Sequence, residues 1–124
     1  MAMNILIIDD ELVVREAIEF ALDGLGYGIR TASGGREGVK MAAESPPDLI
    51  FLDLNMPEMD GIDTLRALKQ VVPESPVYII TAFQKEFLGR LQAAVRDGLE
   101  YDLAQKPLNS SQILQIVESY QPEA

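Results

Sequence analysis

The sequence predicts an α/β domain in which helices cover both faces of a parallel β-sheet. Five short, largely apolar runs recur along the 124-residue chain, and each is followed by a segment with apolar residues at helical spacing. Short continuous apolar runs are typical of strands buried on both faces, as in a parallel sheet. The alternation of strand and helix favours βαβ units, and right-handed crossovers then restrict the topology.

The predicted strands differ in the strength of their pattern. The runs "NILII", "DLIFLD" and "PVYIIT" are largely continuous and apolar, whereas "YGIRTA" alternates and "EYDLAQ" is a weaker candidate. The glycine-rich stretch "GLGYG", between the first helix and the second strand, is typical of a turn. In chain order, the predicted strands span residues 4–8, 27–32, 48–53, 76–81 and 100–105.

The predicted helices carry an apolar stripe on one face. The stripe is weaker in the segment 34–44 than in the others, and Asn109 or Ser110 is the expected N-cap of the last helix. The residues of the stripes are Val14, Ile18, Leu22 and Leu25; Val39, Met41 and Ala42; Ile62, Leu65, Leu68 and Val72; Phe87, Leu91, Ala94 and Val95; and Ile113, Ile116, Val117 and Tyr120.

Length and composition exclude several classes of protein. The length fits one domain, predicted to span residues 3–120, and the tail 121–124 is expected to fray. The net charge of −10 argues against nucleic acid or an anionic membrane surface as a direct partner. The chain contains neither cysteine nor histidine, which excludes disulfides, thiol or imidazole catalysis, and zinc sites built from these residues. Because no apolar run approaches the roughly 20 residues of a membrane helix and no signal-peptide pattern is present, a cytoplasmic location is expected.

Polar side chains follow four of the five predicted strands. In an open α/β sheet the carboxyl ends of the strands share one edge, and ligands bind there. We therefore expect these side chains to converge on one pocket. They are, in chain order, Asp9, Asp10 and Glu11; Asp53, within "DLIFLDLNMPEMDG"; Thr81, which Ala82 follows; and Lys106, which Pro107 follows.

The charges of this set point to phosphoryl chemistry. Two unit charges about 4 Å apart repel by roughly 4 kcal/mol at an effective dielectric of 20, so three converging aspartates need a counter-charge. A hard divalent cation such as Mg²⁺, which prefers carboxylate, water and phosphate oxygens, would supply it. Lys106 would add a second positive charge suited to a phosphoryl oxygen, and Thr81 a hydroxyl donor. With Asp53 as nucleophile, the set indicates phosphoryl transfer onto a carboxylate.

Each of these signals also has an ordinary structural explanation. "DDE" after a strand is typical of a solvated helix N-terminus, where acidic side chains favour the helix dipole. An aspartate at the end of a strand commonly forms a turn or caps a helix, and a Lys-Pro pair commonly lies in a surface turn. The order and the strand-end placement of all the signals together favour the functional interpretation.

Over essentially its whole length, the sequence resembles the receiver domain of two-component response regulators. The motifs that carry the resemblance are "ILIIDDE", "DLIFLDLNMPEMDG", "VYIITA" and "QKPL", and the second of these is highly specific. The resemblance implies a flavodoxin-like (βα)5 three-layer sandwich with strand order 2-1-3-4-5. It also implies a phosphorelay signalling domain rather than an enzyme, since such a domain catalyses only its own phosphorylation and slow dephosphorylation.

The resemblance further assigns roles to individual residues. Asp53 would accept the phosphoryl group from the phosphohistidine of a sensor histidine kinase or phosphotransfer protein. Thr81 and Lys106 would bind phosphoryl oxygens, the small Ala82 would admit the group, and a cis peptide bond would precede Pro107. Mg²⁺ (or Mn²⁺) would be bound by Asp9, Asp10, Asp53 and the backbone carbonyl of Asn55.

The resemblance implies that phosphorylation switches a surface formed by the fourth helix, fifth strand and fifth helix. This surface would bind a downstream effector domain or protein, and a homodimer could form through it. Receivers usually place an aromatic residue three positions before the strand-five lysine, where this sequence has Leu103. Tyr101 is the nearest aromatic and would substitute if the strand carried a bulge. Because the segment from Thr81 to Lys106 is also a few residues longer than usual, a modified output surface is expected.

Two other functions agree with parts of the pattern. A pseudo-receiver that acts only as a protein-interaction module would explain Leu103 but not the intact acidic set. An aspartyl-phosphate hydrolase of the dehalogenase-like class also uses a strand-end aspartate, Mg²⁺, threonine and lysine. Its nucleophile, however, follows the first strand in a DxD pattern, which "DDEL" lacks, and the chain is too short for a substrate-specifying cap.

Overall fold

The computed structural model describes residues 3–121, in which five strands alternate with five helices. The strands form one parallel sheet in the order β2-β1-β3-β4-β5, which confirms the predicted α/β class and strand order. Residues 122–124 of the predicted tail lie outside the described residues. The elements are β1 Asn4–Ile8, α1 Leu12–Ala21, β2 Gly28–Ala32, α2 Gly35–Glu44, β3 Leu49–Leu52, α3 Gly61–Val71, β4 Val77–Thr81, α4 Leu88–Arg96, β5 Asp102–Gln105 and α5 Ser110–Ser119.

Helices cover both faces of the sheet, which explains why the central strands are continuously apolar. In β1, Leu6 and Ile8 pack into the core under α2, α3 and α4. Ile5 and Ile7, on the other face, pack into the core under α1 and α5. All four side chains are fully buried, so a strand with alternating polarity could not occupy this position.

Two residues of the predicted helical stripes lie outside the core, and for them the prediction was wrong. Helix α1 ends at Ala21, and the chain then turns through Gly24 and Gly26, which have φ angles of 75° and 87°. Leu25 therefore lies in a turn and is 53% exposed. In α4, Leu91 and Ala94 face the sheet, whereas Val95, which follows Ala94 by about 100° around the helix, is 58% exposed.

Two polar side chains fix the starts of the helices that flank the later strands. Asn109 caps α5 in a capping box with Gln112, which agrees with one of the two predicted caps. Asp60 caps α3 by accepting hydrogen bonds from the backbone N–H groups of Ile62 and Asp63, each at 3.0 Å. Among residues 3–121, no helix combines the length and the apolar character that a membrane crossing requires.

Candidate functional site

The sheet brings the predicted site residues to one edge. Strands β1 and β3 pair in parallel, so Asp9 and Asp53, which follow them, lie side by side. The pairing continues beyond the strands, because the Asp53 N–H donates to the Ile8 carbonyl at 3.0 Å. At the other side of the site, the Lys106 N–H donates to the Thr81 carbonyl, also at 3.0 Å.

Asp53 is buried at the end of β3, where its side chain has unused hydrogen-bonding capacity. The residue is 3% exposed. Its Oδ1 atom is buried and has no hydrogen-bond partner among residues 3–121. Because buried carboxylate oxygens in proteins are normally satisfied, this atom marks a position that a ligand can complete.

Lys106 is the cation that faces these carboxylates. Its Nζ lies 2.9 Å from Asp9 Oδ2 and 3.6 Å from Asp53 Oδ1. A cis peptide bond joins Lys106 to Pro107, after which the chain enters α5. Lys106 is thus placed by the end of β5 on the same side of the sheet as the two aspartates.

Four carboxylates form one cluster at this edge. Each of Asp9, Asp10, Glu11 and Asp53 offers an oxygen within 4.8 Å of those of the others. Asp9 and Asp53 are buried, whereas Asp10 and Glu11 are exposed. Glu11 was expected at this edge as part of the acidic run but was not predicted to bind a metal; its place directly after the two aspartates was the available signal.

Arg15 is a second residue that the sequence reasoning missed. Its Nη1 donates to the backbone carbonyl of Asp9 at 2.7 Å, while the N–H of Glu11 donates to Asp9 Oδ1 at 2.9 Å. Asp9 is therefore fixed by both its backbone and its side chain. A basic residue one helical turn after the acidic run was the only hint of this contact in the sequence.

Burial and mutual repulsion shift the pKa values of the site. Burial, and after it the charge of Asp9, raise the pKa of Asp53 to about 6 against the opposing effect of Lys106. Burial also raises the pKa of Asp9. Burial alone would lower the pKa of Lys106, but its hydrogen bond to Asp9 and the charge of Asp53 raise it overall. The site therefore holds more negative charge than its one lysine stabilises.

These features fit a hard divalent cation. The donors are all oxygens, two of the acids are buried, and Asp53 Oδ1 is free to ligate. Such a set suits Mg²⁺, which prefers carboxylate and water oxygens and is bound by few protein ligands. Asp9, Asp10 and Asp53 are placed to contribute, and the contribution of Glu11 would come from the exposed rim.

Thr81 and Ala82 lie at the end of β4, as predicted, but differ in burial. Thr81 is fully buried, and its Oγ1 accepts a hydrogen bond from the N–H of Phe83 at 3.0 Å. Ala82 is exposed, so no large side chain occupies this part of the edge. The Thr81 hydroxyl keeps its own proton available for donation.

The loop after Asp53 packs closely against the start of α3. Gly61 donates its N–H to the Leu54 carbonyl at 2.8 Å, and a Cβ at this position would clash with the carbonyl oxygen of Asp53. Asn55 lies in this loop and is exposed. Glycine is therefore required where α3 approaches the backbone of Asp53.

Tyr101 and Leu103 lie on the same side of β5. The register of β5 with β4 runs without interruption from Asp102 to Gln105, and Tyr101 directly precedes this strand. Both side chains are half-buried and line a groove of about 480 Å³ against α4, together with Leu88 and Val95. Both side chains pack against the same hydrophobic core cluster.

Comparison with known proteins identifies the family. A family model described as "Response regulator receiver domain" matches residues 5–118. The chain belongs to this family. It is a receiver domain of the two-component type, and proteins of this family act in general with histidine kinases and effectors.

Two curated relatives show the degree of similarity. The alkaline phosphatase synthesis transcriptional regulatory protein PhoP of Bacillus subtilis is 38% identical over 87 residues, which cover 70% of this chain and 36% of PhoP. A protein-glutamate methylesterase/protein-glutamine glutaminase of Archaeoglobus fulgidus is 37% identical over 106 residues, which cover 85% of this chain and 30% of that protein. The receiver domain described here thus spans about a third of the length of these relatives.

Solved structures agree with the fold. The receiver domain of the response regulator AraT from Geobacillus stearothermophilus is 27% identical with a TM-score of 0.81, and the match covers 97% of this chain and 93% of that one. The chemotaxis protein CheY4 of Vibrio cholerae is 24% identical with a TM-score of 0.83, and the match covers 98% of this chain and all of that one. The latter similarity supports the fold alone.

Proposed function

We propose that Asp53 of this receiver domain accepts a phosphoryl group from the phosphohistidine of a sensor histidine kinase or phosphotransfer protein. The observation that carries the proposal is the Asp53 carboxylate. It is buried, its Oδ1 has no hydrogen-bond partner among residues 3–121, and the Lys106 ammonium lies 3.6 Å from that oxygen. A carboxylate with only a structural role would have its buried oxygens satisfied by the fold.

The transfer needs no general base. An Asp53 oxygen would form a bond to phosphorus while the P–N bond to the donor's histidine breaks, and the imidazole would leave with the electron pair of that bond. A pKa of about 6 leaves Asp53 largely ionised at neutral pH, so the nucleophile is ready. Lys106 would bind one phosphoryl oxygen, and the Thr81 hydroxyl would donate to another.

Asp9, Asp10 and Asp53, with the backbone carbonyl of Asn55, would hold Mg²⁺ or Mn²⁺. When bound, the cation would neutralise charge on the phosphoryl oxygens. Asp9 and Asp53 would hold it from the buried side, and Asp10 from the solvent side. The domain would catalyse only its own phosphorylation and the slow hydrolysis of its acyl phosphate, and it would turn over no separate substrate.

Phosphorylation would be reported at the face formed by α4, β5 and α5. A downstream effector domain or protein would read this face, and a homodimer would form through it. The groove lined by Tyr101 and Leu103 lies here and is the part of this face where apolar side chains are exposed together. With a net charge of −10, neither nucleic acid nor a membrane surface is proposed as a direct partner, and a cytoplasmic location is proposed.

Chemical phosphorylation tests the proposal. The protein is treated with acetyl phosphate or beryllofluoride, with and without Mg²⁺, and the product is followed by intact mass and by amide NMR shifts. We expect an adduct that depends on Mg²⁺ and is lost in Asp53→Asn. The matched control is Asp23→Asn, which removes an exposed carboxylate at the opposite end of α1 and should react like the wild type.

The other outcomes point to the alternatives. If a known receiver reacts under the same conditions and this protein does not, the phosphoacceptor proposal is wrong and a pseudo-receiver is supported. Rapid turnover of a small phosphate ester would instead support a hydrolase. An adduct that persists in Asp53→Asn would show that another residue is the acceptor.

A further inference from the structure

The Lys106 ammonium group contacts three carboxylates in this site. Lys106 Nζ lies 2.9 Å from Asp9 Oδ2, 3.5 Å from Glu11 Oε1 and 3.6 Å from Asp53 Oδ1. Its side chain is 13% exposed, so solvent offers little alternative hydrogen bonding. The carboxylates therefore compete for the same donor group.

The Glu11 side chain does not cap the helix that begins after it. Glu11 occupies the N-cap position of α1, yet its side chain makes no capping hydrogen bond. Within residues 3–121, the one polar contact of this side chain is the contact with Lys106. Its carboxylate is 56% exposed, so it reaches the ammonium from the solvent side of the site.

Asp9 and Glu11 differ in what else they can bind. Asp9 is a buried member of the acidic cluster. If its carboxylate binds a cation, its hydrogen bond to Lys106 becomes weaker. With Asp9 committed to a cation, the remaining partners of Lys106 are Glu11 and Asp53, which lie at nearly equal distances from Nζ.

We infer that Glu11 is a positioning residue that holds the Lys106 ammonium at the rim of the site and competes for it with the phosphoryl group on Asp53. This inference rests on the proposed function of Asp53. It predicts that the wild-type site binds a phosphoryl group less tightly than a site in which Glu11 cannot reach Lys106. An exposed ion pair contributes between about 0.2 and 1 kcal/mol, which corresponds to a change of up to about fivefold.

Two substitutions distinguish the effect of the position of the Glu11 carboxylate from the effect of its charge. Glu11→Asp keeps the charge but is one methylene shorter, so it loses the contact with Lys106. Glu11→Gln keeps the length but loses the charge. Aspartate is a favourable N-cap residue and position 11 is exposed, so both variants are expected to fold. Glu16→Gln, which removes an exposed charge elsewhere on α1, is the control for net charge.

The first measurement uses the metal-free protein. Hydrogen exchange of the Lys106 Nζ protons is followed by ¹⁵N NMR, a readout that does not depend on phosphorylation. We expect exchange to be about two- to fivefold faster in Glu11→Asp and Glu11→Gln, and unchanged in Glu16→Gln. Unchanged exchange in both Glu11 variants would overturn the inference that Glu11 holds the lysine.

The second measurement is the apparent Kd for beryllofluoride at saturating Mg²⁺, followed by amide NMR shifts. We expect Glu11→Asp to bind about two- to fivefold more tightly than the wild type, and Glu11→Gln at least as tightly as Glu11→Asp. If only Glu11→Gln binds more tightly, the effect is one of charge and the positioning role is refuted. Weaker binding by both variants would also refute it, because Glu11 would then assist Lys106.

The two proposals fail in different ways. If the wild-type protein does not bind beryllofluoride, the proposed function of Asp53 is wrong, and the exchange measurement still decides whether Glu11 holds Lys106. If the wild type binds and both Glu11 variants bind with the same Kd, the competition is refuted and the proposed function stands.

Discussion

Replacing Asp53 with asparagine should stabilise the metal-free domain at neutral pH. The pKa of Asp53 is raised from 3.8 to about 6, chiefly by burial. At about 1.4 kcal/mol per pKa unit, the ionised carboxylate destabilises the fold by up to about 3 kcal/mol. Because asparagine removes the charge but still places polar atoms in a buried site, we expect a gain in the free energy of unfolding of about 1 to 3 kcal/mol.

The gain in the free energy of unfolding from Asp53→Asn should disappear at acidic pH. The folded protein binds a proton at Asp53 more tightly than the unfolded chain does. Protonation of Asp53 therefore makes its full contribution to the free energy of unfolding of the wild type below pH 3.8. This contribution is lost as the pH rises to about 6, and above that pH the buried charge of Asp53 destabilises the wild type to its full extent. Asp9, whose pKa is also raised, titrates in the same direction, and Lys106, Asp10 and Glu11 also face the site. All of them remain in the variant, so the difference between the two proteins reports the charge of Asp53 together with its interactions with Asp9 and Lys106.

Urea unfolding in EDTA, followed by far-UV circular dichroism, measures the difference at about pH 4 and about pH 7. Asp23→Asn, at an exposed position, should change the free energy of unfolding by less than about 0.5 kcal/mol at either pH. The reasoning is refuted if Asp53→Asn is less stable than the wild type at neutral pH. It is equally refuted if the gain has the same size at both pH values, because a packing effect would not titrate.

Four other substitutions test three further predictions. Asp10→Ala should abolish most of the thermal stabilisation by Mg²⁺, whereas Glu11→Ala should retain most of it; equal losses in melts with and without the ion would contradict the ligand assignment. Gly61→Ala should lower the free energy of unfolding by about 1–3 kcal/mol because its Cβ would clash with the backbone of Asp53, and an unchanged urea midpoint would disprove the close approach. Asn109→Ala should lose about 1 kcal/mol with its capping box, and a variant as stable as the wild type would show that the cap is dispensable.

The sequence was sufficient to predict the sheet because each strand's pattern reflects what covers it. Strand β1 is apolar at every buried position because helices lie on both faces, and its run was read as a parallel strand for that reason. Strand β5 was the weakest prediction, and it is an edge strand whose four residues are exposed or half-buried. The strand-end rule then brought Asp9, Asp53 and Lys106 to one edge without any knowledge of distance.

Local sequence patterns could not predict features that depend on contacts between distant parts of the chain. Leu25 continues the helical spacing of α1, but the helix ends at Ala21 and the chain then turns through Gly24, which the periodicity alone does not show. The contact between Glu11 and Lys106 joins residues 95 positions apart, so the local sequence around neither residue predicts it. Tyr101 directly precedes β5 and packs against the same core cluster as Leu103, and the pairing of β4 with β5 has no bulge between Asp102 and Gln105.

The structure contains a connection between Asp53 and helix α4 that involves no aromatic residue of β5. Gly61 packs against the backbone of Asp53, and the adjacent Asp60 caps α3 while pairing with Arg90 of α4. Arg90 also pairs with Asp63 at 3.1 Å, so α4 is fastened to the start of α3 by two contacts. A displacement of the loop after Asp53 would reach α4 through these ion pairs. Because the Arg90 side chain is 47% exposed, each pair contributes at most about 1 kcal/mol, which limits coupling by this route to about fivefold per pair. A larger response to phosphorylation would therefore require the repacking of α4 against Tyr101 as well.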